Sequence, residues 1–390
     1  MKITNVRTVC VSVPFSVFGK FQPMTMWYAT RYASNHAIVF IDTDEAITGI
    51  GETWDQNEAE ILETVKPKII GLDPLNIENI TTISIKRSRG ILRGVSPSPI
   101  SAVDCALWDI MGKVCNQPLY KLLGGKVHDK VRCRYWMCEK SPEEQAAEAV
   151  KAVERGWKAF KIKIGRDPKK DVESLKMIRE AVGDDIELGF DLNGSYSLPT
   201  AIRTLKKMEK YDPAHIEEPI PALDFKGYAD LRRVTNIPIE YHLNGHLKLS
   251  DVIELVNLRA MDLLHLNPMQ NGGLIYCNKI CAIAEAAGIP VTGQSSAAEL
   301  GPANAELLHW ISSNLAFTRT NDSSTHLLES PSGDIIKDEF KIKNGCLTVP
   351  ERPGLGIEID EEKLKKYNKI WLTRKYKVEQ GLPRTDTYYW

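Results

Sequence analysis

This 390-residue chain has almost no excess of either charge, no long apolar run and no C-x-x-C pair of cysteines. The 50 Lys and Arg residues against 51 Asp and Glu give a net charge of −1, which excludes a nucleic-acid-binding protein that depends on a basic surface. No apolar run approaches the ~18 residues of a membrane helix. The N-terminus alternates polar and apolar residues like a strand and lacks a signal-peptide core, so we expect a cytoplasmic protein.

None of the eight cysteines forms the C-x-x-C pair of a zinc ribbon or a thioredoxin-like site, and we expect reduced thiols. An apolar fraction of 43% with 26% charged residues is ordinary for a protein that buries a sizeable core. The length predicts two domains, or one large α/β barrel with an addition.

The first 90 residues have the alternation of an antiparallel β region. Residues 36–42 and 47–52 flank Thr43-Asp44-Glu45, which is the pattern of a hairpin. A helix is predicted over residues 98–114, because Ser98 can cap it and its apolar residues form one stripe.

Beyond residue 125, short apolar strands alternate with amphipathic helical stretches, with a period of about 26 residues. This pattern predicts a (β/α)8 barrel, with a doubly wound open sheet as the alternative. The predicted strands lie near residues 131–138, 159–164, 186–192, 214–218, 237–243, 262–267, 289–294 and 315–320.

After the eighth strand the pattern returns to β. Asn344-Gly345 separates two short runs and predicts a hairpin, and a helix is predicted near residues 361–368. The tail from 371 to 390 has no clear periodicity. We expect residues 1–125 and about 340–390 to form an α+β capping domain, and residues 126–339 to form the barrel.

The chemistry of such barrels lies at the C-terminal ends of the strands. The second strand ends in Lys161-Ile162-Lys163, and a side-chain period of two points both lysines into the mouth. We expect the two ammonium groups to lower one another's pKa, which favours a lysine that takes a proton near neutral pH. The alternative is an exposed pair, as in Lys341-Ile342-Lys343.

Carboxylates end the next two strands. Asp191 and Asn193 should face inward, and alternation allows only one of Glu217 and Glu218 to do so. Carboxylates beside lysines predict an oxygen-ligand site for Mg²⁺. The alternative is a structural salt-bridge network made by Asp191, Glu217 and the two lysines.

These residues belong to motifs that also carry a resemblance. The motifs are Gly49-Ile50-Gly51-Glu52, SAVDCALWD at 101–109, GWKAFKIKIG at 156–165, Asp191-Leu192-Asn193, Ile216-Glu217-Glu218-Pro219, Gly272-Gly273 and Pro353-Gly354-Leu355-Gly356. On these, across nearly the whole chain, the sequence resembles the enolase superfamily in its mandelate racemase/muconate lactonizing subgroup.

The resemblance implies an α+β cap over a barrel that binds Mg²⁺, abstraction of the proton α to a substrate carboxylate, and a homo-oligomer. By this match Lys163 is the base, Lys161 is its electrostatic partner, and Asp191 and Glu217 are metal ligands. The chemistry is physically sensible, because a dication and an ammonium group stabilise the enediolate as its charge develops.

The chain departs from the family on the fifth strand, where a third carboxylate ligand is usual. Counting back from Gly272-Gly273 places the ligand position on Asn244, an amide without charge. His242 and Glu240 are the alternatives, each reached by a shifted strand.

A larger departure from the family pattern lies on the strands opposite the two lysines. Asn267 and Gln294 occupy the positions of an Asp–His acid/base pair found in many members, and neither titrates near neutral pH. A strand-six lysine, found in another branch, is not apparent. We expect Asn193, His242, Asn267 and Gln294 to contact substrate, and Arg319 to hold a distal anionic group.

Two-base racemisation needs proton donors on both faces, and only the lysine face is evident. We therefore expect a lyase that dehydrates a hydroxylated carboxylate such as a sugar acid, with His242 or His246 as a replacement acid. The alternatives are a racemase, epimerase or cycloisomerase of the same superfamily, and a binding protein without catalysis.

Aromatic residues cluster between residues 11 and 32, among them Trp27 and Tyr28. Such density suits a loop that closes over a small-molecule substrate and excludes water. The alternative is a segment buried against the barrel or a neighbouring subunit.

Overall fold

The computed structural model describes residues 1–82, 97–245, 247–295, 298–376 and 379–380. An antiparallel sheet of order β1-β6-β7 opens the chain, and its pairing of β6 with β7 confirms the predicted hairpin. The strands of this region are β1 (Ile3–Pro14), β2 (Ser16–Val17), β3 (Lys20–Phe21), β4 (Met24–Met26), β5 (Ala29–Arg31), β6 (Ala33–Thr43) and β7 (Thr48–Trp54).

A long helix, α2 (Pro97–Val114), packs on β7 and confirms the helix predicted from residue 98, with Ser98 inside it rather than at its cap. The two glycines of the Gly49-Ile50-Gly51-Glu52 motif make this contact possible. A Cβ at Gly49 would lie 2.0 Å from the carbonyl oxygen of Ala106, and one at Gly51 would lie 1.9 Å from that of Ala102. Before α2 come a 3₁₀ turn (Asp55–Asn57), a π-helical turn (Glu60–Val65) and α1 (Lys66–Ile69).

Eight parallel strands form a nearly closed barrel, which confirms the predicted fold. Their order follows the chain from β8 to β14, and β15 pairs with β8. Between β14 and β15, Asn321 Oδ1 accepts a hydrogen bond from the Gly293 amide at 2.7 Å. The strands are β8 (Val131–Met137), β9 (Ala159–Lys163), β10 (Glu187–Asp191), β11 (His215–Glu217), β12 (Ile239–His242), β13 (Leu263–Leu266), β14 (Val291–Gly293) and β15 (Asn321–Ser323).

Helices alternate with these strands. The helix α4 begins at a capping box made by Ser141 and Glu144, as its sequence predicts. The remaining helices are α3 (Leu119–Leu122), α4 (Pro142–Glu154), α5 (Pro168–Val182), α6 (Leu198–Met208), α7 (Phe225–Val234), α8 (Leu249–Leu258), α9 (Pro268–Asn271), α10 (Leu274–Ala286), α11 (Gly301–Ser312) and α12 (Glu361–Leu372), with 3₁₀ turns at Glu209–Tyr211 and Thr325–Leu327.

The eighth strand predicted at residues 315–320 is wrong. Leu315 is exposed, and β15 begins at Asn321. An apolar pattern cannot locate this strand, because its sequence, Asn321-Asp322-Ser323, is polar on both faces. All three residues are nevertheless buried.

The C-terminal turn forms as predicted, with φ of 50° at Asn344 and 67° at Gly345. The predicted hairpin is reduced to one bridge, and β16 (Cys346–Leu347) pairs with the barrel strand β8. The helix α12 lies on β1, where Asn368 Nδ2 donates to the Cys10 carbonyl at 2.8 Å, and β17 (Glu379–Gln380) pairs with β5. All eight cysteines are free, and no helix among the described residues has the length and apolarity to cross a membrane.

Candidate active site

Both lysines of β9 point into the barrel and are buried, as alternation predicts. Lys163 lies nearer the mouth, where its Nζ is 2.5 Å from Asp191 Oδ2 and 2.8 Å from Asn193 Oδ1. The same ammonium group lies 5.7 Å from the ring centre of Trp136. Lys163 therefore stands at the boundary between the barrel interior and the mouth.

Lys161 lies one level deeper among three carboxylates. Its Nζ is 2.6 Å from Glu217, 2.9 Å from Asp322 and 3.3 Å from Asp191. Burial lowers the pKa of Lys161, but these carboxylates outweigh burial and raise the pKa well above its usual value. The expectation of a lowered pKa is thus wrong for Lys161, whose pKa the surrounding carboxylates raise.

A buried ionic network lies beneath the mouth. Arg134 on β8 donates to both oxygens of Glu240, at 2.9 and 3.1 Å, and its Nε lies 3.1 Å from Asp322. Thr292 also donates to Glu240, at 2.6 Å. Glu240, an alternative for the third metal ligand, is therefore already held by a guanidinium group.

Arg134 and Asp322 were not predicted as site residues. The sequence does place a charged residue at an inward position of β8, where Arg134 is buried while Arg132, two residues earlier, is exposed. Asp322 carried no comparable signal, because its strand was misplaced.

Glu217, the last residue of β11, and Glu218, the residue after it, both face the mouth, so the prediction that only one does is wrong. Glu218 has a φ of 40°, which breaks the strand alternation and turns its side chain inward. Its Oε1 accepts from Asn244 Nδ2 at 3.1 Å, and its Oε2 lies 3.6 Å from His242 Nδ1. The buried Oε1 of Glu217 has no hydrogen-bond partner among the described residues and lies 3.9 Å from the same nitrogen.

The carboxylate oxygens and the imidazole nitrogen at this position suit a divalent cation as ligand atoms. Ligand atoms of Glu217, Glu218 and His242 all lie within 4.8 Å of one another, and so do those of Glu217, Glu240 and His265. A buried carboxylate oxygen without a partner is costly unless a cation or proton reaches it. The ion pairs of the two lysines with Asp191 and Glu217 are equally what the structural salt-bridge alternative predicts, so the roles of Asp191, Glu217 and Asn244 as metal ligands stay predictions.

Neutral amides face the lysines from the far side of the mouth. Asn267 follows β13 and donates to Glu299 at 2.6 Å, and Gln294 follows β14; both are buried. The strand β13 presents His265 rather than a lysine. Across residues 239–245, 263–271 and 291–295, the described strand ends opposite Lys163 carry no lysine.

The aromatic segment is partly structural and partly at the mouth. Phe15, Met24 and Met26 are buried in a core that joins the N-terminal region to the barrel. Trp27 Nε1 donates to the Leu192 carbonyl at 2.9 Å, at the end of β10, and the ring of Tyr28 packs edge-on against Trp27 at 5.5 Å.

Two predicted residues are not part of this arrangement. Arg319 is exposed and lines a surface cleft with Pro238 and Pro290, which precede β12 and β14 at the opposite end of the barrel. Its assignment to a distal anionic group is wrong, because the strand that would place it at the mouth begins two residues later. His246 lies outside the described residues.

Sequence comparison covers both parts of this architecture. Residues 7–124 match the mandelate racemase/muconate lactonizing enzyme N-terminal domain, and residues 144–363 match the enolase C-terminal domain-like family. The chain belongs to the enolase superfamily.

Relatives within the enolase superfamily catalyse different reactions. N-succinyl-L-Arg/Lys racemase of Bacillus cereus is 30% identical over 381 residues, covering 93% of this chain and 97% of the racemase. D-galactonate dehydratase of Cronobacter sakazakii is 34% identical over 348 residues, covering 83% and 88%. The structure of a dipeptide epimerase from Enterococcus faecalis, complexed with Mg and a dipeptide, has a TM-score of 0.82 at 27% identity, covering 92% and 100%. Membership therefore leaves the reaction open.

Proposed function

We propose that this enolase-superfamily protein is a lyase that removes the proton α to a carboxylate and dehydrates a hydroxylated acid, such as a sugar acid. The observation that supports the proposal is the one-sided placement of lysine: Lys163 lies on one side of the described mouth, and the amides of Asn267 and Gln294 lie on the other. Racemisation by two bases needs a proton donor on each face, whereas elimination can proceed with one base.

In this mechanism Lys163 takes the α proton, since its Nζ is the amine nearest the mouth. Lys161 stays charged because three carboxylates surround it, and its fixed positive charge favours the anion that forms. A bound divalent cation, Mg²⁺ by family resemblance and held by Glu217 and the ligand atoms around it, would supply further positive charge to the substrate carboxylate.

The remaining mouth residues orient the substrate and complete the proton transfer. The amides of Asn267 and Gln294 can both donate to and accept from hydroxyl groups, which suits a polyhydroxy acid. The protonated Lys163 delivers a proton to the departing hydroxyl. Trp27, anchored to the end of β10, limits water at this side of the site.

The experiment is incubation with a panel of sugar acids in D₂O, followed by NMR and mass spectrometry. A 2-keto acid product is expected. Lys163→Ala should lower the rate by about 10²- to 10⁴-fold, the contribution typical of a general base. Lys343→Ala, in the exposed Lys-Ile-Lys sequence, is the matched control and should keep wild-type activity. Solvent exchange at the α carbon that persists in Lys163→Ala would remove Lys163 from the role of base.

A second candidate is a racemase or epimerase, which the similarity to N-succinyl-L-Arg/Lys racemase supports. This reaction would need a second proton donor on the face opposite Lys163. N-succinyl amino acids belong in the same panel, since an isomerase conserves substrate mass whereas a dehydratase loses water. The further alternative, a binding protein without catalysis, predicts no turnover of any acid although metal raises the melting temperature.

A further inference from the structure

We propose that His242 is a nitrogen ligand of the metal at this site, together with Glu217 and Glu218, and that the protein favours a first-row transition cation such as Mn²⁺ over Mg²⁺. The inference rests on the proposed function only in taking the barrel mouth as a metal centre. It concerns which atoms bind the ion and which ion they select.

The spacing of the three side chains suits one ion. The Nδ1 atom of His242 lies 3.6 Å from Glu218 Oε2 and 3.9 Å from Glu217 Oε1, both too long for hydrogen bonds. Ligands bound at about 2.1 Å from a common ion lie between about 3.0 and 4.2 Å apart. All three side chains are buried, so bulk solvent does not provide hydrogen bonds to the atoms that face one another across this space.

The orientation of the imidazole points to the same conclusion. His242 Nε2 lies 3.2 Å from Gln270 Oε1, which is an acceptor, so this nitrogen carries the hydrogen. In the neutral ring the lone pair of Nδ1 then faces two carboxylate oxygens. Asn193 Nδ2 donates to Glu218 Oε2 at 3.4 Å, but Glu217 Oε1 accepts no hydrogen bond from the described residues. Three acceptors around one space repel one another unless a cation or a proton lies between them, and a bound metal ion supplies that charge. A metal-binding histidine characteristically donates its second ring N–H to an oxygen acceptor in this way.

The other cluster of possible ligands is already occupied by protein contacts. His265 uses both ring nitrogens, Nδ1 at 2.6 Å from Thr292 Oγ1 and Nε2 at 2.9 Å from Asp322 Oδ2. Glu240 is held by Arg134. Glu217 belongs to both clusters. In the cluster with Glu218 and His242, its Oε1 lacks a hydrogen-bond partner among the described residues and lies 3.9 Å from His242 Nδ1, and Asn244 fixes Glu218 beside it.

A nitrogen ligand changes which ion is preferred. Mg²⁺ favours sites made of oxygen atoms alone, whereas imidazole favours transition metals of intermediate softness. Replacing the third carboxylate of the family pattern by His242 therefore moves the preference toward Mn²⁺ or Fe²⁺.

The decisive measurement is pulsed electron paramagnetic resonance on the full-length protein loaded with Mn²⁺ alone. Nitrogen-14 modulation from a coordinated imidazole is expected in the wild type. It should disappear in His242→Gln and persist in His265→Gln, the matched control. Bound Mn²⁺ without nitrogen modulation in the wild type would overturn the proposal whatever the variants do, and so would modulation that His265→Gln removes.

Ion preference is measured separately, from the rise in melting temperature with Mn²⁺ and with Mg²⁺. The wild type should bind Mn²⁺ more tightly, and His242→Glu, which restores an oxygen ligand, should reduce the Mn²⁺-to-Mg²⁺ affinity ratio by about tenfold or more. An unchanged ratio would contradict the assignment. Neither readout needs substrate, so nitrogen modulation without any α-proton exchange would defeat the proposed function alone, and exchange without modulation would defeat this inference alone.

Discussion

Buried carboxylates occur in two regions of this molecule with opposite electrostatics. In the barrel interior, burial raises the pKa of Asp322, but Lys161 and Arg134 outweigh burial and bring it well below its usual value. Burial likewise raises the pKa of Glu240, and Arg134 and His215 reverse the effect. Asp322 and Glu240 are ionised because cations contact them, whereas burial and Asp191 raise the pKa of Glu217 well above its usual value in spite of Lys161.

At the contact between the cap and the barrel, Asp104 and Asp334 have backbone amides as partners instead. Burial raises the pKa of Asp104 on α2 to about 7, and its Oδ2 accepts from the Leu274 amide at 2.7 Å. Asp334 also has a pKa raised to about 7, by burial and by Glu52, and accepts from the Gly301 amide at 3.1 Å. Burial and Asp104 together raise the pKa of Glu306 on α11 well above its usual value.

The difference shows that acidic residues in a family motif do not by themselves identify a catalytic or metal-binding site. The SAVDCALWD motif places Asp104 where it accepts from the first residue of α10, and Asp109 where it accepts from the Ile50 and Leu355 amides and from Lys113 Nζ at 2.6 Å. These carboxylates join segments of chain. Only acids that also face cations and an open mouth are candidates for binding a metal or a substrate.

The largest expected effect tests the cation-paired region. Arg134→Leu leaves Glu240 and Asp322 buried without their guanidinium partner, and should lower the free energy of unfolding by about 3–5 kcal/mol. The control is Arg352→Leu, whose exposed pairs with Asp338 and Glu358 should be worth less than about 1 kcal/mol. Urea unfolding measures both. Equal losses in the two variants would show that the barrel network contributes no more than a surface pair.

The next prediction separates two buried glutamates, Glu217 at the mouth and Glu306 at the cap–barrel contact. A metal ion at 100 times its dissociation constant should stabilise the wild type by about 2.7 kcal/mol. Glu217→Gln should abolish this response, because it removes a ligand oxygen, and Glu306→Gln should retain it. The measurement is the melting temperature with and without Mn²⁺ or Mg²⁺. A metal response that survives in Glu217→Gln would place the ion elsewhere.

Much of the fold could be predicted because barrel strands buried on both faces are apolar runs. Seven of the eight were located to within a few residues, and a period of two correctly pointed Lys161, Lys163 and Asp191 inward. The eighth strand failed because Asp322 is inward and charged, so burial there depends on Arg134 and Lys161 rather than on apolarity.

The site was harder to predict than the fold, because its geometry depends on two kinds of information that alternation does not contain. The first is backbone conformation: the positive φ of Glu218 turns a second glutamate inward. The second is pairing between strands distant in sequence, such as that of Arg134 with Glu240. Neither follows from the residues of one strand.

The last prediction tests Asp104, whose partners at the cap–barrel contact are backbone amides, through pH. Asp104 has a pKa of about 7 when folded, above the ordinary value of about 3.9 in the unfolded chain. The folded state therefore binds more protons between these values. The stabilisation is complete below pH ~4 and is lost as the pH rises through 7, by up to about 1.4 kcal/mol per pH unit.

Asp104→Asn should remove this dependence, because a neutral amide oxygen can still accept from Leu274. Urea unfolding at pH 5 and pH 8 should therefore show a smaller loss of stability in Asp104→Asn than in the wild type. The exposed Asp230, paired with Arg233, supplies the control Asp230→Asn, which should follow the wild type. If Asp104→Asn loses as much stability as the wild type between the two pH values, Asp104 is ionised at the cap–barrel contact, and the contrast with the barrel interior does not hold.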